Sequence, residues 1–231
     1  MTGISGTDGL DLTSLWITLQ VASLTVVILL IVGTPIAWWL AFTRSRFKIP
    51  VESVTALPLV LPPTVLGFYL LIFMGINGPA GQLWKSLTGH PLAFSFSGVV
   101  IASCIYSLPF VVQPLQAAFE SMDKRAIEAA WTLGASPVRT FIQVVVPQIR
   151  RGLLTAVVLG FAHTLGEFGV ILMVGGNIPG QTQVVSIAIY EEVETLNYSA
   201  AHALSAGLLV FSFMVLVLVY GVNRRWHIEL K

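Results

Sequence analysis

Two ionisable side chains, His163 and Glu167, interrupt an apolar run that otherwise extends from Leu153 to Val174. On a helix they stand at i and i+4 and share a face. Ionisable groups inside hydrocarbon are costly and tend to face a bundle interior or a pathway. Four chemistries fit the pair: a helix–helix hydrogen bond, a polar station in a pathway, two ligands of a metal, or an intramembrane enzyme's acid–base couple. No further ligand type lies close in sequence, so a metal site is not expected. The carboxylate and burial act on the imidazole's charge in opposite senses, which leaves its charge state open. Cation before anion is the less favourable order for an i,i+4 pair, so a partner on another span or a second subunit also fits. The common catalytic signatures are absent from the sequence. There is no GxxxxGK[ST] to cradle phosphates, no HExxH and no GxSxG.

The elements that must position these groups are membrane helices. The chain has 231 residues, 55% hydrophobic and 10% charged, with a mean hydropathy of +0.85. Soluble domains carry about a quarter charged residues. The single cysteine, Cys104, lies in an apolar run, so no disulfide within the chain and no Cys/His metal set is expected. A span needs about 20 apolar residues. Five runs meet that length, at 15–42, 54–74, 96–118, 153–174 and 201–222, and together predict one transmembrane domain over 1–231. Residues 1–11 carry Asp8 and Asp11 but no Lys or Arg. The first run is therefore read as a retained span rather than a secretory signal. In the second run Pro58, Pro62 and Pro63 should break or kink the helix near its cytoplasmic half. Carbonyls freed there must face protein or a water-filled cavity, so a packing kink and a pathway lining both fit. Segments 75–95 and 175–199 read as loops, the second with a half-apolar stretch from Val184 to Tyr190 and then Glu191, Glu192 and Glu194.

The charges alternate in side. Every Lys and Arg except Lys85 falls in the link after the first span, the central loop at 119–151, or the C-terminal tail. By the positive-inside rule those segments are cytoplasmic, and the N-terminus and the acidic loop around Glu191 are outside.

The central loop contains the second constellation. Ser121 or Asp123 could cap a helix, Gly134 would stop it, and Ser136-Pro137 would restart a second short helix. Such a helix–turn–helix is either a plain linker or a docking element. Glu128, Ala129 and Ala130, then three residues, Gly134, and Pro147 thirteen residues further on together resemble the EAA loop of ABC importer permeases. Val144 and Val146 stand where that family usually has isoleucine or leucine before the proline.

Three further stretches resemble the molybdate permeases among them. They are Leu57-Pro58-Leu59-Val60-Leu61-Pro62-Pro63 with Gly67, then Thr164-Leu165-Gly166-Glu167-Phe168-Gly169, then Asn177-Ile178-Pro179-Gly180. The resemblance spans roughly residues 15–222. Sulfate and thiosulfate permeases share a related pattern, and tungstate is not separated from molybdate. Two departures stand out: those permeases usually have arginine at the position of His163, and some carry an extra N-terminal span. The resemblance implies an all-α membrane protein of about five transmembrane helices, with the type I ABC importer permease fold and a cytoplasmic coupling loop. It implies a homodimer in the bacterial or archaeal cytoplasmic membrane, two ATPase subunits on the cytoplasmic side and an external oxyanion-binding protein. It implies no cofactor, no nucleic acid and no enzymatic activity in this subunit. Carried over by position, Glu128, Ala129, Ala130, Gly134 and Pro147 would couple to the ATPases. Pro62, Pro63, His163, Gly166, Glu167 and Gly169 are the candidates for a pathway or gate.

Overall fold

A computed structural model describes residues 12–228. Residues 1–11 and 229–231, on which part of the expectation for the two termini rests, lie outside the described residues. Every regular element among the described residues is helical. Helix α1, Leu12–Phe42, runs unbroken through Pro35. After α2 (Lys48–Val60), α3 (Pro63–Met74) and α4 (Pro79–Thr88) comes α5, Phe96–Glu120, at the centre of the molecule. The remaining helices are α6 (Lys124–Thr132), α7 (Pro137–Thr140), α8 (Val146–Leu165), α9 (Gly169–Gly175), α10 (Val185–Glu194) and α11 (Tyr198–Ile228).

The core forms where α1, α5 and α8 meet. Leu29 and Leu40 of α1 pack with Val111, Val112, Leu115 and Phe119 of α5 and with Ile149 and Ala156 of α8. Small residues bring membrane helices into close contact. Gly160 of α8 is one of them: a Cβ there would stand 2.7 Å from the Val111 side chain. A second cluster joins Leu70 and Met74 of α3 to Val170 and Val174 of α9. The outer surface is apolar, as lipid contact requires, with Leu209, Phe213 and Val217 of α11 exposed. Four helical segments are long and apolar enough to cross a membrane: α1, α5, Pro137–Leu165 and Tyr198–Leu218. The bent pair α2 and α3 makes a fifth if it counts as one span.

The break expected in the run at 54–74 is present, as two helices bent by 114°. Pro58 stays inside α2, whereas Leu61 and Pro62 are extended, as residues before proline prefer to be. The run at 153–174 is not continuous either. Its helix starts upstream of 153 and ends at Leu165, and Gly166, Glu167 and Phe168 separate it from α9. Glycine at 166 and at 169 weakens the helix on both sides of this break. The loops at 75–95 and 175–199 hold α4 and α10. Gly78-Pro79 starts α4 and left-handed Gly89 ends it, punctuation that a hydropathy reading passes over.

Candidate functional site

The central loop builds from its caps. Asp123 caps α6 through its side-chain oxygen, which accepts from the Arg125 amide at 3.0 Å. Its own amide donates to Gln148 Oε1 at 3.2 Å, tying the loop's start to the start of α8. Ile127 enters the core, and Lys124 lies over the Phe42 ring at 4.9 Å. At the far end the Gly134 amide bonds the Trp131 carbonyl and the Ala135 amide bonds the Ala130 carbonyl. This is the paired closure of a Schellman cap, and Gly134 takes φ +79° to complete it. The expected restart is present too, with the Ser136 side chain accepting from the Arg139 amide and Pro137 in the first turn.

The second helix is not short, however. α7 passes through a π-helical turn, Phe141–Val145, directly into α8. Pro147 explains the turn. It lacks an amide proton and its ring crowds the preceding carbonyls, so the helix opens by one residue just before it. Glu128, Ala129 and Pro147 are exposed, and Ala130 is half-buried. Glu128 and Trp131 line a groove of about 280 Å³ with Trp38, Phe42, Lys124 and Ile127. Trp131, Leu133, Val138 and Ile142 present apolar side chains outward, Leu133 with 88% of its surface free.

The pathway candidates separate into two groups. Pro62 precedes α3 and Pro63 opens it. A Cβ at Gly169 would stand 2.9 Å from Pro63 Cβ, and one at Gly67 the same distance from Met173 Cβ. The two half-helices α3 and α9 therefore meet along glycines, with Pro63 and Gly169 in direct apposition. Gly166 ends α8. Glu167, 3% exposed, sits in the break. Its carboxyl group faces the Ser103 hydroxyl of α5, a contact that falls short of full hydrogen-bond geometry. Its backbone carbonyl accepts from the Ser186 hydroxyl at 2.6 Å, which ties the break to α10.

His163 belongs elsewhere. The i,i+4 pair does not form, because the helix ends at Leu165 before reaching Glu167. His163 Nδ1 instead lies 2.9 Å from Ser107 Oγ of α5. Its ring stacks on Phe110 with centroids 3.8 Å apart and tilts against Tyr106 at 4.7 Å. Ser107, Tyr106 and Phe110 are site residues that sequence reasoning missed. Their spacing of one, three and four along α5 puts them on one face, but nothing in the sequence aims that face at His163. Among the described residues no cluster of three His, Cys, Asp or Glu could hold a metal.

Comparison with known proteins agrees with this architecture. Residues 33–228 match the family model of the binding-protein-dependent transport system inner membrane component. The chain is 58% identical to the molybdenum transport system permease protein ModB of Azotobacter vinelandii, over 93% of this chain and 95% of that protein. It is 36% identical to a probable sulfate transport system permease protein of Zygnema circumcarinatum, over 92% and 74%. In fold it resembles a bacterial alginate ABC transporter crystallised with its alginate pentasaccharide-bound periplasmic protein. The TM-score is 0.74 at 16% identity, over 95% of this chain and 80% of that one.

Proposed function

Because the chain belongs to the family of binding-protein-dependent transport system inner membrane components, we propose that it is the membrane-spanning subunit of an ABC importer that carries molybdate into the cytoplasm. The observation that carries the choice of anion is the far higher identity to the molybdenum permease than to the sulfate permease. In this reading two copies form the pore, two ATPase subunits dock on the cytoplasmic loop, and an external binding protein delivers the anion. Glu128 and the exposed Trp131, Leu133, Val138 and Ile142 are the docking surface. A rigid cap around Gly134 and the continuous α7–α8 helix suit such a surface to passing movement into the core. The apposed half-helices at Pro63 and Gly169 are the moving part of the pathway, and His163 is its polar station.

The test is reconstitution in vesicles with the ATPase subunits and the binding protein, followed by uptake of labelled molybdate against unlabelled competitors. Molybdate is expected to compete best, tungstate comparably and sulfate weakly. Sulfate competing as well as molybdate would move the chain to the sulfate permeases.

The charge asymmetry also sets an orientation for this reading. Reporter fusions at Gly78 and Ile178 are expected to report the outside, and fusions after Arg139 the inside. An internal Ile178 would be incompatible with the proposed threading.

A further inference from the structure

A short chain of polar contacts links α5 to α8 inside the bundle. His163 Nδ1 lies 2.9 Å from Ser107 Oγ. Ser107 Oγ lies 2.9 Å from Thr164 Oγ1, and the Thr164 hydroxyl donates to the Gly160 carbonyl at 2.9 Å. All three contacts can be hydrogen bonds in only one proton arrangement. A carbonyl only accepts, so the single proton of Thr164 goes to Gly160. Ser107 must then donate its single proton to Thr164. It has none left for the ring, so Nδ1 must donate to Ser107. Turning the ring over would set a carbon against Ser107, and the stacking on Phe110 holds the ring plane.

We propose that Ser107 is a positioning residue that keeps a proton on His163 Nδ1, so that Nε2 receives an oxyanion only together with one further proton. The proposal rests on the reading of the chain as an oxyanion permease. Nε2 of the half-buried ring has no bond to any described residue. In the neutral ring it carries a lone pair, which repels a dianion. One proton taken from solvent turns it into an N–H donor, and that proton lies between Nε2 and an anion oxygen. Among the described residues no other charge takes this place. Packed against α8, α1 carries no titratable side chain between Leu12 and Phe42. α5 brings Cys104 and Tyr106, with Glu120 at its far end. The part of α11 whose side chains are described brings Tyr198 and His202. Glu167 lies beyond the end of α8, and Arg150 and Arg151 stand three turns away on α8 itself. Among these described residues none is a cation in contact with the ring.

The experiment uses the assembled transporter in vesicles, with molybdate uptake per ATP hydrolysed followed between about pH 5.5 and 8.5, a window that brackets the unperturbed histidine pKa. Wild-type uptake is expected to fall by about tenfold or more across it. Ser107→Ala frees the ring to carry its proton on Nε2 and should flatten the profile. Thr164→Val takes away the acceptor of the Ser107 proton, so Ser107 can turn and donate to Nδ1. It should flatten the profile at nearly unchanged side-chain volume. His163→Arg should be flat because arginine stays charged. In parallel, ¹⁵N shifts of His163, isolated by difference from His163→Gln, should show the neutral ring protonated at Nδ1 in the wild type and moving to Nε2 in both hydroxyl variants. A neutral wild-type ring protonated at Nε2 would overturn the proposal. So would variants that keep the wild-type slope. A wild type that hydrolyses ATP yet takes up no molybdate at any pH would overturn the choice of anion instead, and the nitrogen shifts would still decide the role of Ser107.

Discussion

Replacing Gly134 by valine is expected to reduce transport by tenfold or more while leaving the permease inserted in the membrane. The cause is backbone conformation rather than crowding. Gly134 sits at φ +79°, and a Cβ there would meet no atom of this chain within 4 Å. An L-residue in left-handed conformation costs about 1–2 kcal/mol, and a β-branched side chain makes it a genuine outlier. The Schellman cap would open, freeing the Ala130 and Trp131 carbonyls and letting α6 lose its fixed angle to α7. That angle sets where Glu128, Trp131 and Leu133 stand relative to Val138 and Ile142. The series Gly134→Asn, →Ala and →Val separates the two explanations. Asparagine tolerates the left-handed region, so activity should fall in that order if conformation decides. If asparagine is as harmful as valine, an ATPase surface pressed against the glycine is the cause. Normal uptake by Gly134→Val, measured with ATPase co-purification, would remove the capped loop from the coupling mechanism.

Much of the fold was legible because it rests on local rules. The runs at 15–42 and 96–118 lie within α1 and α5, since a long apolar stretch in lipid must satisfy its own backbone and stays helical even through Pro35, Pro109 and Pro114. Asp123, Gly134 and Ser136 were readable as caps because capping depends on residue type and spacing alone. The breaks were harder. Hydropathy is blind to Gly166 and Gly169, and helical periodicity carried His163 and Glu167 past a point where the helix had ended. Pro58 and Pro62 look alike in sequence, yet only the second interrupts its helix. What differs is the Pro62-Pro63 pair, which holds two successive residues extended. The partners of His163 were out of reach for another reason. Ser107 is 56 positions away, and only the packing of α5 on α8 brings the two together.

Gly169→Val should abolish uptake through the other end of α8. That helix has 20 residues and spans about 30 Å, so the break at Gly166 lies far from the coupling loop. At Gly169 a side chain would meet Pro63 Cβ at 2.9 Å, with the Thr64 amide and Pro63 carbonyl carbon behind it at 3.8 Å. A proline ring cannot rotate aside, so one half-helix must move. α9 is the fixed partner, because Val170, Ile171 and Val174 are fully buried in two core clusters. α3 is the one to shift, since Val65, Phe68, Tyr69, Ile72 and Phe73 leave its outer face exposed. Overpacking of this kind costs about 1–3 kcal/mol, too little to unfold the α1–α5–α8 core but enough to hold α3 away from α9. Gly221→Ala on α11 is the control. A Cβ there would meet no atom within 4 Å, so near-normal uptake is expected. The measurements are uptake in vesicles, ATP hydrolysis and co-purification of the ATPase subunits. Gly169→Val should keep assembly and lose uptake. Wild-type uptake by this variant would mean that the Pro63–Gly169 contact does not move during transport, and loss of assembly would place its role in the fold as a whole.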